Sequence, residues 1–163
     1  MTLLNLNNLK LKYPGWLTEY IVECKEGRIL IGQELMDMLN ILLENLCNPE
    51  YRFDTSESDT RIQFIETQCK HYEDPFAGKQ FILTLRQKAY IEALYSFKMY
   101  DKELGRWVRL FQETLLLIAR KCGKTPLVSA ICLAEYFCGE MGTKILCSSN
   151  DYEQADLMFQ AID

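Results

Sequence analysis

The sequence predicts an α/β fold with a helical section in front. Apolar residues recur at three- and four-residue spacing through residues 1–75, the mark of amphipathic helices. A turn-rich break, Glu73-Asp74-Pro75-Phe76-Ala77-Gly78, follows. Behind it, over residues 76–163, short apolar runs alternate with helical stretches. Strand, helix, strand, helix in that order is the signature of a parallel sheet with crossover helices.

Taken in order, Pro14 and Gly15 interrupt the start of the chain. Trp16, Leu17, Tyr20, Ile21 and Cys24 then mark one face of a helix that Gly27 stops. Leu35, Met36, Leu39, Leu42, Leu43 and Leu46 repeat the pattern within Ile31–Leu46. Asn48-Pro49 closes that helix, because a residue before proline is pushed out of helical angles. Tyr51–Thr55 reads as extended, and Asp54-Thr55-Ser56 supplies N-cap candidates. Ile62, Ile65 and Cys69 share one side of a helix over Asp59–His71. Beyond the break, Leu85–Tyr100 reads as one amphipathic helix, and Trp107–Phe111 alternates in and out.

Leu115–Ala119 is an uninterrupted apolar run, expected as a strand buried on both faces. Pro126–Phe137 reads as a helix that turns Leu127, Ala130, Ile131, Ala134 and Phe137 inward and ends by Gly142. Lys144–Ser148 is a second short strand, and Tyr152–Ile162 begins one more helix.

Composition narrows the function classes. No apolar run approaches the ~20 residues that a membrane-crossing helix needs, so no membrane partner is expected. The N-terminus carries Asn through its apolar part and offers no small-residue cleavage site, unlike a signal peptide. Seven cysteines without a CxxC pair, beside the single His71, give no zinc-site spacing. They read as buried free thiols of a reducing compartment, which makes a cytoplasmic location the expectation. A net charge of −5 argues against a surface built mainly to hold nucleic acid. Lys98, Lys102, Arg106 and Arg109 nevertheless form a modest basic strip.

The chemistry is concentrated in Leu115–Thr125, LLLIARKCGKT. A strand runs into a turn, then Gly123-Lys124-Thr125, then a helix. Anion binding needs that order, because backbone N–H groups and the helix dipole converge at a helix N-terminus. Gly123 spares the loop a Cβ, Lys124 can reach the β- and γ-phosphates, and the Thr125 hydroxyl can take one Mg²⁺ position. Pro126 falls in the first turn, where its missing N–H costs little. The first glycine of the usual GxxxxGK[ST] pattern is absent, since Ile118 stands there. On these residues alone, a lysine-bearing turn of an unrelated α/β domain stays open, and Arg120 and Lys121 are equally a solvated basic pair.

The form Ala119-Arg120-Lys121-Cys122-Gly123-Lys124-Thr125 resembles the variant Walker A loop of phage large terminase subunits. The likeness continues along most of the chain in order. Phe81–Gln87 resembles the segment ahead of the motor strand, and Tyr20–Gly27, Phe53-Asp54 and Ile62–Glu66 follow the front section. Ile145–Asn150 with Gln154-Ala155 resembles the strand and loop that come after.

The resemblance implies the N-terminal part of an ATP-driven DNA-packaging motor: a helical section, 1–75, then an incomplete P-loop NTPase domain, 76–163. It implies ATP and Mg as cofactors, bound through Gln87 at adenine and Ala119–Thr125 at the phosphates. From the residues alone Gln87 is an exposed helix position, and only the resemblance gives it that role. In the whole protein the implied partners are double-stranded DNA, the small terminase subunit and the portal, in the host cytoplasm. The family's acidic strand and its metal-dependent nuclease domain lie after the region matched here. No catalytic residue is therefore expected within these 163 residues, and the chain alone is expected to bind ATP with little turnover and to self-associate. A helicase-like P-loop protein and a non-enzymatic docking module are the rival readings.

Overall fold

The computed structural model describes residues 6–72 and 74–148. They form six helices and three strands: α1 (Leu6–Lys12), α2 (Trp16–Lys25), α3 (Gln33–Cys47), β1 (Tyr51–Phe53), α4 (Ser56–Gln68), α5 (Leu85–Ser96), β2 (Phe97–Asp101), β3 (Arg106–Arg109) and α6 (Lys124–Cys138). The chain divides into two compact units, Met1–Asp59 with Thr84–Thr114, and Thr60–Leu83 with Leu115–Asp163.

The core of the first unit gathers Leu9, Leu17, Tyr20, Ile21, Cys24, Leu39, Leu42, Leu46, Ala89 and Phe97. The i, i+3, i+4 stripes of α2 and α3 supply most of it, as their periodicity predicts. Gly27, at φ +73, ends α2 in the left-handed conformation that glycine adopts without strain. Asn48 closes α3 in extended conformation ahead of Pro49.

The sheet of this unit has the order β1-β2-β3, and both pairings are antiparallel. Phe53 faces Phe97, with ring centroids 5.0 Å apart, and Tyr100 faces Trp107 at 5.6 Å. The helix expected over Leu85–Tyr100 therefore stops at Ser96. From Phe97 the backbone gains ladder partners on both sides, and the aromatic and long apolar side chains there suit a pleated surface better than a helix.

In the second unit, Ile62, Ile65 and Cys69 of α4 and its exit are buried, with Phe81 and Leu83 from the following segment and Leu127, Ala130 and Ala134 of α6. Arg61, 3% exposed, donates to Glu135 at 2.8 Å and ties α4 to α6. His71 stands edge-on to Phe81, with centroids 4.8 Å apart.

Several expectations for this unit are corrected. Leu115–Ala119 forms no strand; its residues alternate between exposed and half-buried, with Leu115 80% and Leu117 83% exposed. Lys144–Ser148 likewise carries no strand, with Leu146 93% exposed. A doubly buried strand needs hydrogen-bonded neighbours and a layer on each face, and among the described residues neither segment has a paired strand. The only sheet among the described residues is antiparallel, so the parallel sheet is not seen there. Phe137 is 65% exposed rather than inward; one face of its ring stacks on Phe64 at 5.6 Å. Helix α6 stops at Cys138, before Gly142, because Gly139 takes an extended conformation with no room for a Cβ beside the Glu135 carbonyl. Of the cysteines, all free, only Cys24 and Cys69 are buried, while Cys47 and Cys122 are exposed. The helix expected over Tyr152–Ile162, with Gln154-Ala155, lies outside the described residues.

Candidate functional site

The approach to the loop, Glu113–Ala119, has no regular secondary structure, and the chain turns at Arg120-Lys121. Lys121 has φ +64, the one positive-φ non-glycine residue among the described residues. Gly123 follows at φ +72 as the N-cap of α6, with no side-chain cap. Two left-handed residues separated by Cys122 reverse the chain sharply into the helix. The glycine is demanded by its dihedral, because a Cβ there would meet nothing within 4 Å.

The first turn of α6 leaves backbone donors unspent. Lys124 and Thr125 lie ahead of any possible intrahelical acceptor, and Pro126 has no N–H at all. The ladder closes only at Leu127, whose N–H donates to the Gly123 carbonyl at 3.2 Å. Leu127, 1% exposed, and the buried Ser129 and Ala130 anchor this end of the helix. Ser129 Oγ has no hydrogen-bond partner among the described residues.

Ala119, Arg120, Lys121, Cys122, Gly123 and Lys124 are all exposed, and Thr125 is half-buried. Three cations, two free amide donors and the positive end of a 15-residue helix therefore share one short exposed stretch. That donor set fits a polyphosphate. It fits a hard cation only through the Thr125 hydroxyl, and among the described residues no cluster of three His, Cys, Asp or Glu side chains could hold a metal ion. A cavity of about 640 Å³ between α4 and α6, lined by Phe64, Leu133 and Phe137, includes none of the loop residues.

Gln87 sits in the first unit, half-buried in the first turn of α5. Its backbone N–H donates to Thr84 Oγ1 at 3.4 Å, and its Oε1 accepts from the Thr84 N–H at 2.8 Å and hydroxyl at 2.9 Å. The pair is a capping box. The Thr-x-x-Gln spacing announces it in the sequence, although the helix-face reading of Gln87 overlooked it. The amide is thus held in one orientation, with both oxygen lone pairs engaged by Thr84 and its NH₂ group outside the box.

The basic strip is less open than its sequence suggests. Lys98 is 8% exposed and donates to Glu57 at 2.5 Å, while Arg109 lies over the Tyr95 ring at 4.7 Å and reaches the same carboxylate at 3.4 Å. Lys102 and Arg106 remain exposed on the β2–β3 hairpin.

Sequence reasoning also missed Glu92, which is fully buried on α5 and accepts the Leu17 N–H at 2.5 Å. The two residues are 75 positions apart, so no local pattern could have joined them.

Residues 87–163 match the family model described as terminase large subunit, ATPase domain. No curated protein and no solved structure matches the chain.

Proposed function

Starting from the match of residues 87–163 to the terminase large subunit ATPase-domain family model, we propose that the chain binds the phosphates of ATP through Ala119–Thr125. The observation that carries this reading is the left-handed turn at Lys121 and Gly123 opening the 15-residue α6. It supports a role as the P-loop of a DNA-packaging ATPase. Strained backbone at a non-glycine residue is tolerated where geometry serves a site, and here it aims amide donors and Lys124 at one place.

In this reading the Lys124 and Thr125 amides and the Lys124 ammonium hold the phosphates. Arg120 and Lys121 add positive charge beside them, and the Thr125 hydroxyl takes one Mg²⁺ position. Gln87 reads adenine through its amide, which the capping box orients beforehand. Bound Mg²⁺ would neutralise charge on the β- and γ-phosphates. Leu115–Ala119, in which Leu116 and Ile118 are half-buried, leads into the loop without forming a strand. Duplex DNA, the small terminase subunit and the portal are the partners this reading carries.

The test is thermal unfolding of the 163-residue chain with and without Mg-ATP. Ligand at ~100 times its Kd stabilises by about 2.7 kcal/mol. For a chain of this length that raises Tm by roughly 5–10 °C. Lys124→Ala should abolish the rise while leaving the unliganded Tm within about a degree, because the side chain is exposed. An equal rise in both proteins would remove the proposal.

A further inference from the structure

Glu92 is a buried acid that the nucleotide reading does not use. It lies on α5, 0% exposed, and its carboxyl meets the beginning of α2. One oxygen, Oε2, accepts the Leu17 N–H at 2.5 Å, and the Trp16 N–H also donates to the carboxyl. The other oxygen, Oε1, is buried with no hydrogen-bond partner among the described residues. Gly15 makes the approach possible, since a Cβ there would fall 2.5 Å from Oε1 and 2.8 Å from Oε2. A glutamate from one helix thus caps the N-terminus of another, at a position where α2 has no side-chain cap of its own.

We infer that Glu92 and the start of α2 form a proton-linked clasp, in which the neutral carboxyl holds the first turn of α2 against α5 and loss of the proton loosens it. The geometry sets two effects against each other. Two amide donors and the helix dipole favour the carboxylate. Burial and the unpartnered Oε1 oppose it, because half of an ionised carboxylate would face no donor among the described residues. Burial prevails and holds the carboxyl at about 7, against an ordinary 4.5.

The charged groups around the clasp do not reverse this. Asp59 on α4 raises the carboxyl further by like charge. Lys88, one turn earlier on α5, has its ammonium over the Trp16 ring at 4.3 Å. Glu19, in the first turn of α2, is exposed and of the same sign as Glu92.

The direction of the pH effect follows. The folded chain holds this proton more tightly than the unfolded chain, so between 4.5 and about 7 it binds the extra proton. Stability from this group is greatest at the acid end of that window, falls as pH rises through it, and is level above it.

The experiment is denaturant unfolding of the full chain against pH, for wild type and Glu92→Gln. From about pH 5 to about pH 8 the unfolding equilibrium constant of wild type should rise on the order of fifty-fold relative to the variant. The amide in the variant cannot ionise, so a merely structural cap would leave the two pH profiles parallel, and parallel profiles overturn the clasp. Should Glu92→Gln not fold, carboxyl-carbon NMR of wild type decides. A Glu92 midpoint near neutrality supports the clasp, and one near the ordinary glutamate value of ~4.3 overturns it. Neither result depends on nucleotide, so this inference and the phosphate-loop reading stand or fall separately.

Discussion

Lys121 carries the sharpest local tension in the described chain. A left-handed residue with a Cβ costs roughly 1–2 kcal/mol, and the loop accepts that cost beside a glycine already in the same region. Lys121→Gly should therefore stabilise the unliganded protein by about 1 kcal/mol, seen as a higher denaturation midpoint. The same change should shrink the Mg-ATP-dependent rise in Tm, since a cation and a preset turn are lost together. A variant that neither gains stability nor loses nucleotide response would show the dihedral to be incidental. Gly15 makes the opposite case. It is extended, so glycine is not required by its dihedral, yet Gly15→Ala should cost about 1–3 kcal/mol by crowding the Glu92 carboxyl. Of these residues, the Gly123-Lys124-Thr125 stretch was legible in the sequence because loop chemistry is local. The Lys121 dihedral was not, because only the reversal of the chain imposes it. Glu92 and Gly15 were not, because their meeting joins segments 75 residues apart.

Helices were legible wherever an apolar stripe met a local stop signal. Gly27 and Asn48-Pro49 close α2 and α3 where the sequence places them, and the buried faces are the ones the spacing marks. The end of α5 was not legible. Its periodicity runs on past Ser96, and only strand partners on both sides of Phe97 override it. The start of α5 bears on function, because Gln87 has both a structural task and a proposed recognition task there. The two can be separated. Thr84→Ala removes the cap and should cost about 1 kcal/mol. Gln87→Glu preserves the capping box and adds negative charge at a helix N-terminus, so stability should change by less than ~0.5 kcal/mol. It also replaces the donor that adenine N7 needs, so the preference for ATP over GTP in the thermal-shift assay should disappear. A retained preference would leave Gln87 as a cap alone.

At the scale of the whole chain, the mixture of helix and strand was legible and the sheet was not. Period-two burial survives in Leu115–Ala119 and Lys144–Ser148, which is the part of a strand that sequence encodes. Pairing is not encoded in the segment itself, because it depends on which backbone lies alongside. The described residues leave Leu115, Leu117 and Leu146 each at least 80% exposed, together with the largely exposed Tyr136 and Phe137, all in the second unit. Unpaired backbone that bears exposed leucines is a template for association with another copy. The net charge of −5 opposes contact only over about a Debye length, ~8 Å at physiological salt. The chain is therefore expected to self-associate, and more strongly as salt rises, since screening removes repulsion without weakening apolar contact. Sedimentation velocity across a concentration series, at low and high salt, reads this directly. The double substitution Leu115→Gln with Leu117→Gln should return the protein to monomer. It should leave the unfolding midpoint nearly unchanged, because side chains this exposed contribute less than ~0.5 kcal/mol to the fold. A wild type that stays monomeric at ~100 µM, or a double variant that associates equally, would show that these leucines are not the contact.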